Sequence, residues 1–124
     1  MIRTWPALRD LALSLDLPEV TVAHSHGHQV LRAFGKLWCN WSMYADGAVF
    51  KAAKDEREML IAADPKTFFI HPHYVNYDYV LVRGGRIDPG WARARLIRQW
   101  REAAPKRFLK DWDAKHGSGG PCGT

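Results

Sequence analysis

The spacing of apolar residues changes period several times along this chain, and each change marks a different kind of element. Thr4 can cap a helix with Pro6 in its first turn, and Leu8, Leu11, Ala12 and Leu15 then share one face, which predicts a helix over Trp5 to Leu15. Leu17-Pro18 ends it, because a residue before proline is pushed out of the helical region. From Glu19 to Ala53 the period becomes two. Val20 and Val22, then Val30 to Phe34, Leu37 to Met43 and Ala48 to Lys51, read as three or four antiparallel strands. Gly35-Lys36 supplies a tight turn between two of them, and Asp46-Gly47 a hairpin between another two. Under strict alternation Leu37, Cys39, Trp41 and Met43 face the core, which leaves Trp38, Asn40, Ser42 and Tyr44 on an open face.

A second helical pattern begins at Asp55-Glu56-Arg57-Glu58, a capping residue followed three positions later by Glu. Met59, Leu60, Ala62 and Ala63 form its apolar side before Asp64-Pro65 stops it. Phe68, Phe69 and Ile70 lead into the rigid stretch His71-Pro72-His73-Tyr74, and Tyr77 to Arg83 is one more strand, closed by Gly84-Gly85. The last periodic element, Trp91 to Ala104, opens after Asp88-Pro89 and closes at Pro105. It gathers Leu96, Ile97, Trp100, Ala103 and Ala104 on one side and Arg95, Arg98 and Arg101 on the other. Beyond Trp112 the glycine-rich sequence buries too little to order itself. The expectation is one α+β domain over 1–112, an antiparallel sheet with helices packed on one side, and a flexible tail over 113–124.

Composition supports a single core: 124 residues with 47% hydrophobic content suffice for one and fall short of two. No apolar run approaches the roughly 20 residues that span a bilayer, and the amino terminus carries no leader pattern. Cys39 and Cys122 do not suggest a disulfide framework. A soluble, cytoplasmic protein with no membrane contact is expected. Charge changes the picture more. Met1 to Asp64 carries a net −1 and Pro65 to Thr124 a net +6. Arg83 to Lys110 alone holds nine cations, seven of them Arg, against Asp88 and Glu102. A one-sided positive field favours a polyanion, and the planar guanidinium suits phosphate.

Several stretches together resemble the MmcQ/YjbR-like family of small bacterial α+β proteins. They are Leu17-Pro18-Glu19-Val20, Gly27 to Leu37 with Phe34-Gly35-Lys36, Leu60 to Phe69, the strand led by Tyr79, and Ala104-Pro105-Lys106-Arg107. They run in the family's order over about 100 residues. Tyr79 stands where the family usually has Trp, and Gly84-Gly85-Arg86 alters a turn. The resemblance implies a frataxin-like (CyaY-like) fold and a double-wing DNA-binding arrangement. Frataxin-like iron binding does not carry over, since the first helix offers only Asp10 and Asp16 as hard-oxygen ligands.

The leading functional expectation is a non-catalytic DNA-binding protein with weak sequence preference. Arg95, Arg98, Arg101, Lys106 and Arg107 would neutralise phosphates, Lys36, Arg83 and Arg86 would touch them from two hairpin wings, and Trp38 would stack on an unpaired base. The default alternative for an arginine-rich helix face is a solvated exterior. A protein-interaction or small-ligand module, with Trp38, Tyr44, Tyr74, Tyr77 and Tyr79 forming an aromatic patch, is the other class. His24, His26 and His28 alternate, so an extended chain would set them on one face about 7 Å apart. Gly27 invites a turn that breaks the alternation, and no metal or cofactor is assigned. No catalytic residue is assigned either: there is no phosphate loop, nucleophile elbow or metalloprotease pattern, and neither thiol sits beside a base.

Overall fold

A computed structural model describes residues 1–116. The chain forms α1 (Trp5–Ser14), β1 (Val20–Ser25), β2 (His28–Ala33), β3 (Lys36–Trp41), β4 (Gly47–Lys51), α2 (Lys54–Ala63), β5 (Phe68–Phe69), a 3-10 turn (Pro72–Tyr74), β6 (Tyr79–Arg83), α3 (Pro89–Ala103) and α4 (Lys106–His116). All six strands pair antiparallel in the order β1-β2-β3-β4-β6-β5.

Local chemistry accounts for most of these boundaries. Thr4 Oγ1 accepts the Ala7 N–H, and Asp88 Oδ2 accepts the Trp91 N–H at 2.8 Å, so α1 and α3 each start on a side-chain cap followed by proline in the first turn. α2 departs from expectation: it begins at Lys54 after Ala53, which has no capping side chain, and Asp55 accepts the N–H of Glu56 instead. The β2–β3 turn is Phe34-Gly35, one residue earlier than expected, with φ of 53° and 76°. Two successive positive φ values give a turn whose twist matches the flanking strands.

One face of the sheet is covered by helices. Leu31, Ala33, Trp38, Cys39, Ala48, Phe50, Val80 and Val82 from the strands join Leu8 and Ala12 of α1 and Ala92, Leu96 and Trp100 of α3 in the main core. Leu60 of α2 and Phe108, Leu109 and Trp112 of α4 pack against the same cluster. Alternation along β4 and β6 sends Val49 and Leu81 to the opposite face, where Tyr74, Phe69 and Ile70 cover them in a smaller cluster.

Strict alternation fails at β3. Leu31 pairs with Cys39 but Arg32 pairs with Leu37, so Trp38 is an extra, bulged residue that disturbs the inside-outside rhythm. Trp38 and Cys39 are therefore both buried, at 3% and 1% exposure, while Leu37 and Met43, expected in the core, lie exposed. Burial pushes the Cys39 thiol well above its ordinary pKa.

The region after Pro105 also differs from expectation. Ala104 is extended, and the chain re-enters a helix through His116 because Phe108, Leu109 and Trp112 share a side that packs on the core. Residues 113–116, assigned to a flexible tail, thus continue α4, and 117–124 lie outside the described residues.

Candidate nucleic-acid interface

Arg95, Arg98 and Arg101 of α3 were expected to form a free ridge. The fold instead supplies each of these three with an acid, while Arg93 of the same helix is exposed and forms no ion pair among the described residues. Arg95 is 8% exposed and grips Glu56 through two hydrogen bonds of 3.1 Å, with Lys51 O as a third acceptor at 3.3 Å. Its guanidinium also lies over the Trp91 ring, 4.9 Å from the centroid. Arg98 is half exposed, yet it bonds the same Glu56 at 3.2 Å and lies 3.6 Å from Glu102. Arg101 makes a bidentate pair with Asp113, both bonds 2.9 Å. The hydrogen bond from Arg95, then that from Arg98, holds the Glu56 carboxyl below its ordinary range against the opposing effect of burial. Arg95 is thus a buried structural charge and not a phosphate contact. Arg98 and Arg101 are compensated at short range.

Trp38, the expected base stacker, is also removed from the surface. The bulge turns its ring under α3, where Nε1 donates to Leu96 O at 2.9 Å. A tryptophan so buried cannot stack on a base.

The two expected wings lie at opposite ends of the sheet. Lys36 opens β3, whereas Arg83 pairs with Gly47, beyond the far end of β3. The strand length separates them by roughly 17 Å at 3.3 Å per residue. The second wing is also not a free tip. Gly85 N–H bonds Ile2 O at 2.8 Å, and a Cβ on Gly84 would lie 2.9 Å from Arg3 O, so the amino-terminal segment packs over this turn. Arg86 bonds Thr67 Oγ1 at 3.2 Å and pairs with Asp64 at 3.7 Å, and Arg83 lies over the Phe69 ring at 4.3 Å.

The first wing behaves differently. Phe34, in its turn, packs edge-on against Phe108 of α4, with ring centroids 4.9 Å apart, and tilts against Trp100 at 5.6 Å. Lys36 Nζ donates to Ala103 O at 3.4 Å, at the carboxyl end of α3. The hairpin tip therefore rests against the junction from which α4 starts. Lys106, Arg107 and Lys110 are exposed there, and their i, i+3 and i+4 spacing puts Lys110 beside both of the others. Among the described residues none of these three, nor Lys36, forms an ion pair. Of the nine expected contacts, Lys36, Lys106 and Arg107 are brought together and the other six are not.

The histidine alternation ends at a turn. His24 lies in β1, His26 and Gly27 form the turn with φ of 51° and 79°, and His28 opens β2. Among the described residues no group of three or more His, Cys, Asp or Glu is placed to hold a metal ion, and no helix is long and apolar enough to cross a membrane.

Sequence reasoning missed Arg57, Gln99, Glu56 and Asp113. Arg57 is 7% exposed and donates to the carbonyls of Val75, Tyr77 and Tyr79 at 3.0–3.1 Å. Gln99 joins the Lys51 N–H to Trp38 O. None of these partners is close in sequence, so no local pattern announces them.

No family model, curated protein or solved structure matches this chain.

Proposed function

We propose that this chain is an MmcQ/YjbR-like, frataxin-like domain that binds DNA without catalysing a reaction, in the cytoplasm, through a footprint smaller than the charge count suggests. The footprint is Lys36 on the β2–β3 hairpin with Lys106, Arg107 and Lys110 at the start of α4. The observation that carries the reading is the seating of the hairpin tip on the α3–α4 junction. It brings exposed Lys36 to the start of α4 beside exposed Lys106, Arg107 and Lys110, and among the described residues no acid pairs with any of the four. Lys106 and Arg107 also lie in the first turn of α4, the positive end of the helix dipole, with no acidic residue there. Like charge at that position is unfavourable until an anion arrives, and a phosphate backbone supplies one. The helix-covered sheet and the resemblance of the Ala104-Pro105-Lys106-Arg107 segment support the family reading.

Three or four phosphate contacts give a salt slope near −3, so affinity for mixed-sequence duplex should fall by roughly 40- to 150-fold between about 50 and 200 mM salt. Replacing Lys36, Lys106, Arg107 and Lys110 together by Gln should abolish both binding and slope, whereas Arg98→Gln should leave the slope in place. An unchanged slope in the quadruple variant would overturn the proposal.

A further inference from the structure

Among the described residues, three of the five buried polar side chains, Arg57, Arg95 and Gln99, serve one place away from the proposed DNA footprint. Arg95 and Gln99 hold the carbonyl and N–H of Lys51 at the end of β4, at 3.3 and 2.7 Å. Arg57 holds the carbonyls of Tyr77 and Tyr79 at the start of β6, at 3.0 and 3.1 Å. Lys51 and Tyr79 are partners across the two strands, and the Ala52 N–H donates to Asp78 O at 3.0 Å. These fixed backbone segments form the walls of a cleft of about 350 Å³ lined by Lys51, Tyr77, Asp78, Tyr79, Arg98 and Glu102. Two of these anchors, Arg57 and Arg95, are buried charges, which are costly to place in the interior. What the polar anchors add is a rigid position for the rim.

The rim carries two charges of each sign. Lys51 and Arg98 are cationic, and Asp78 and Glu102 are anionic. Arg98 is shared with Glu56 and lies 3.6 Å from Glu102, while among the described residues Lys51 and Asp78 form no ion pair, though they lie on adjacent strand ends. Lys51 and Asp78 are therefore the charges left to meet a ligand: a simple anion meets repulsion from Asp78, and a simple cation meets it from Lys51. A molecule with separated charges of both signs satisfies the set. The tyrosines complete the cleft: the Tyr77 and Tyr79 rings are 6.3 Å apart and tilted by 41°, with Tyr77 58% exposed, which leaves apolar ring surface for a carbon side chain. At about 350 Å³ the cleft falls at the small end of the range of small-molecule sites, about 300–1,000 Å³.

We propose that this cleft binds a small zwitterion of the α-amino-acid class, its carboxylate against Lys51, its ammonium against Asp78, and its side chain against Tyr77 and Tyr79. The site is separate from the DNA footprint, and either can fail without the other.

The test is titration of the whole protein, read by amide chemical shifts, with L-phenylalanine, N-acetyl-L-phenylalanine, L-phenylalaninamide and inorganic phosphate. The free amino acid should bind with Kd on the order of 1 mM and shift the amides of Lys51, Asp78 and Tyr79. Each capped analogue should bind at least tenfold more weakly. Lys51→Gln and Asp78→Asn, both exposed substitutions that keep the fold, should each cost a similar factor. No saturable shift with L-phenylalanine, equal binding of the capped forms, or binding of phosphate alone would each overturn the assignment.

Discussion

Two groups of cations lie about one helix apart in sequence, and the fold treats them in opposite ways. Arg95, Arg98 and Arg101 follow one face of α3 and meet Glu56, Glu102 and Asp113. Lys106, Arg107 and Lys110 start α4, lie beside the Lys36 hairpin and form no ion pair among the described residues. The acid that neutralises the centre of α3 comes from α2, in the half of the chain with a net negative count. Charge asymmetry along a sequence is thus partly erased when that half folds over the other. What survives is the charge that forms no ion pair among the described residues.

The sharpest way to break this contrast is to remove the acid. Glu56→Ala leaves Arg95 buried without its carboxylate, and breaking such a pair costs about 3–5 kcal/mol, a large share of a typical domain's stability. Urea unfolding should show this as a lowered midpoint, and a change under about 1 kcal/mol would mean that Arg95 is solvated after all. Acid titration probes the same carboxylate. Its folded-state pKa is depressed, so its contribution is fully present above the unfolded value near 4.3 and is lost as pH falls through the lower folded value. Stability of the native chain should decline below about pH 4.3, and Glu56→Gln should flatten that decline.

Trp38→Ala comes next. It removes a ring that is 3% exposed and bonded to Leu96 O, so a loss of about 3 kcal/mol is expected from the cavity and the unpaired carbonyl. Trp38→Phe, which keeps most of the volume, should cost less and leave DNA affinity unchanged. A selective loss of single-strand affinity in that variant would restore Trp38 as a stacker. Cys39 offers a milder check on the same bulge. Buried and with its pKa raised, it should resist a thiol reagent in the native protein and react on unfolding.

The comparison also shows which features were legible beforehand. Thr4 with Pro6 and Asp88 with Pro89 announce α1 and α3 because capping is local chemistry, written within four residues. The Phe34-Gly35 turn is legible to within a residue for the same reason. The bulge at Trp38 is not: it is a register shift against Leu31 and Arg32, and both neighbours of the bulge are apolar whichever way they point. β5 has only two residues, too few for a period. Pro105 reads as the stop of α3, yet it directly precedes α4, whose Phe108, Leu109 and Trp112 carry helical spacing. The Arg95–Glu56 pair spans 39 positions and could come only from the fold.

The smallest expected effect separates the two cation groups by sign. Lys106 and Arg107 stand at the positive end of the α4 dipole without a compensating acid, so their charges work against the helix. Lys106→Gln with Arg107→Gln should leave the stability of the free protein unchanged or raise it by about 0.5 kcal/mol, a rise of roughly 1–2 °C in Tm. The same pair should weaken DNA binding and reduce the salt slope by about 2. Arg101→Gln, which abandons Asp113, should do the reverse, lowering Tm by a similar or larger amount and leaving the slope untouched. If both variants moved stability in the same direction, the start of α4 would be as structural as the ridge of α3, and its exposed charges would carry no argument for a partner.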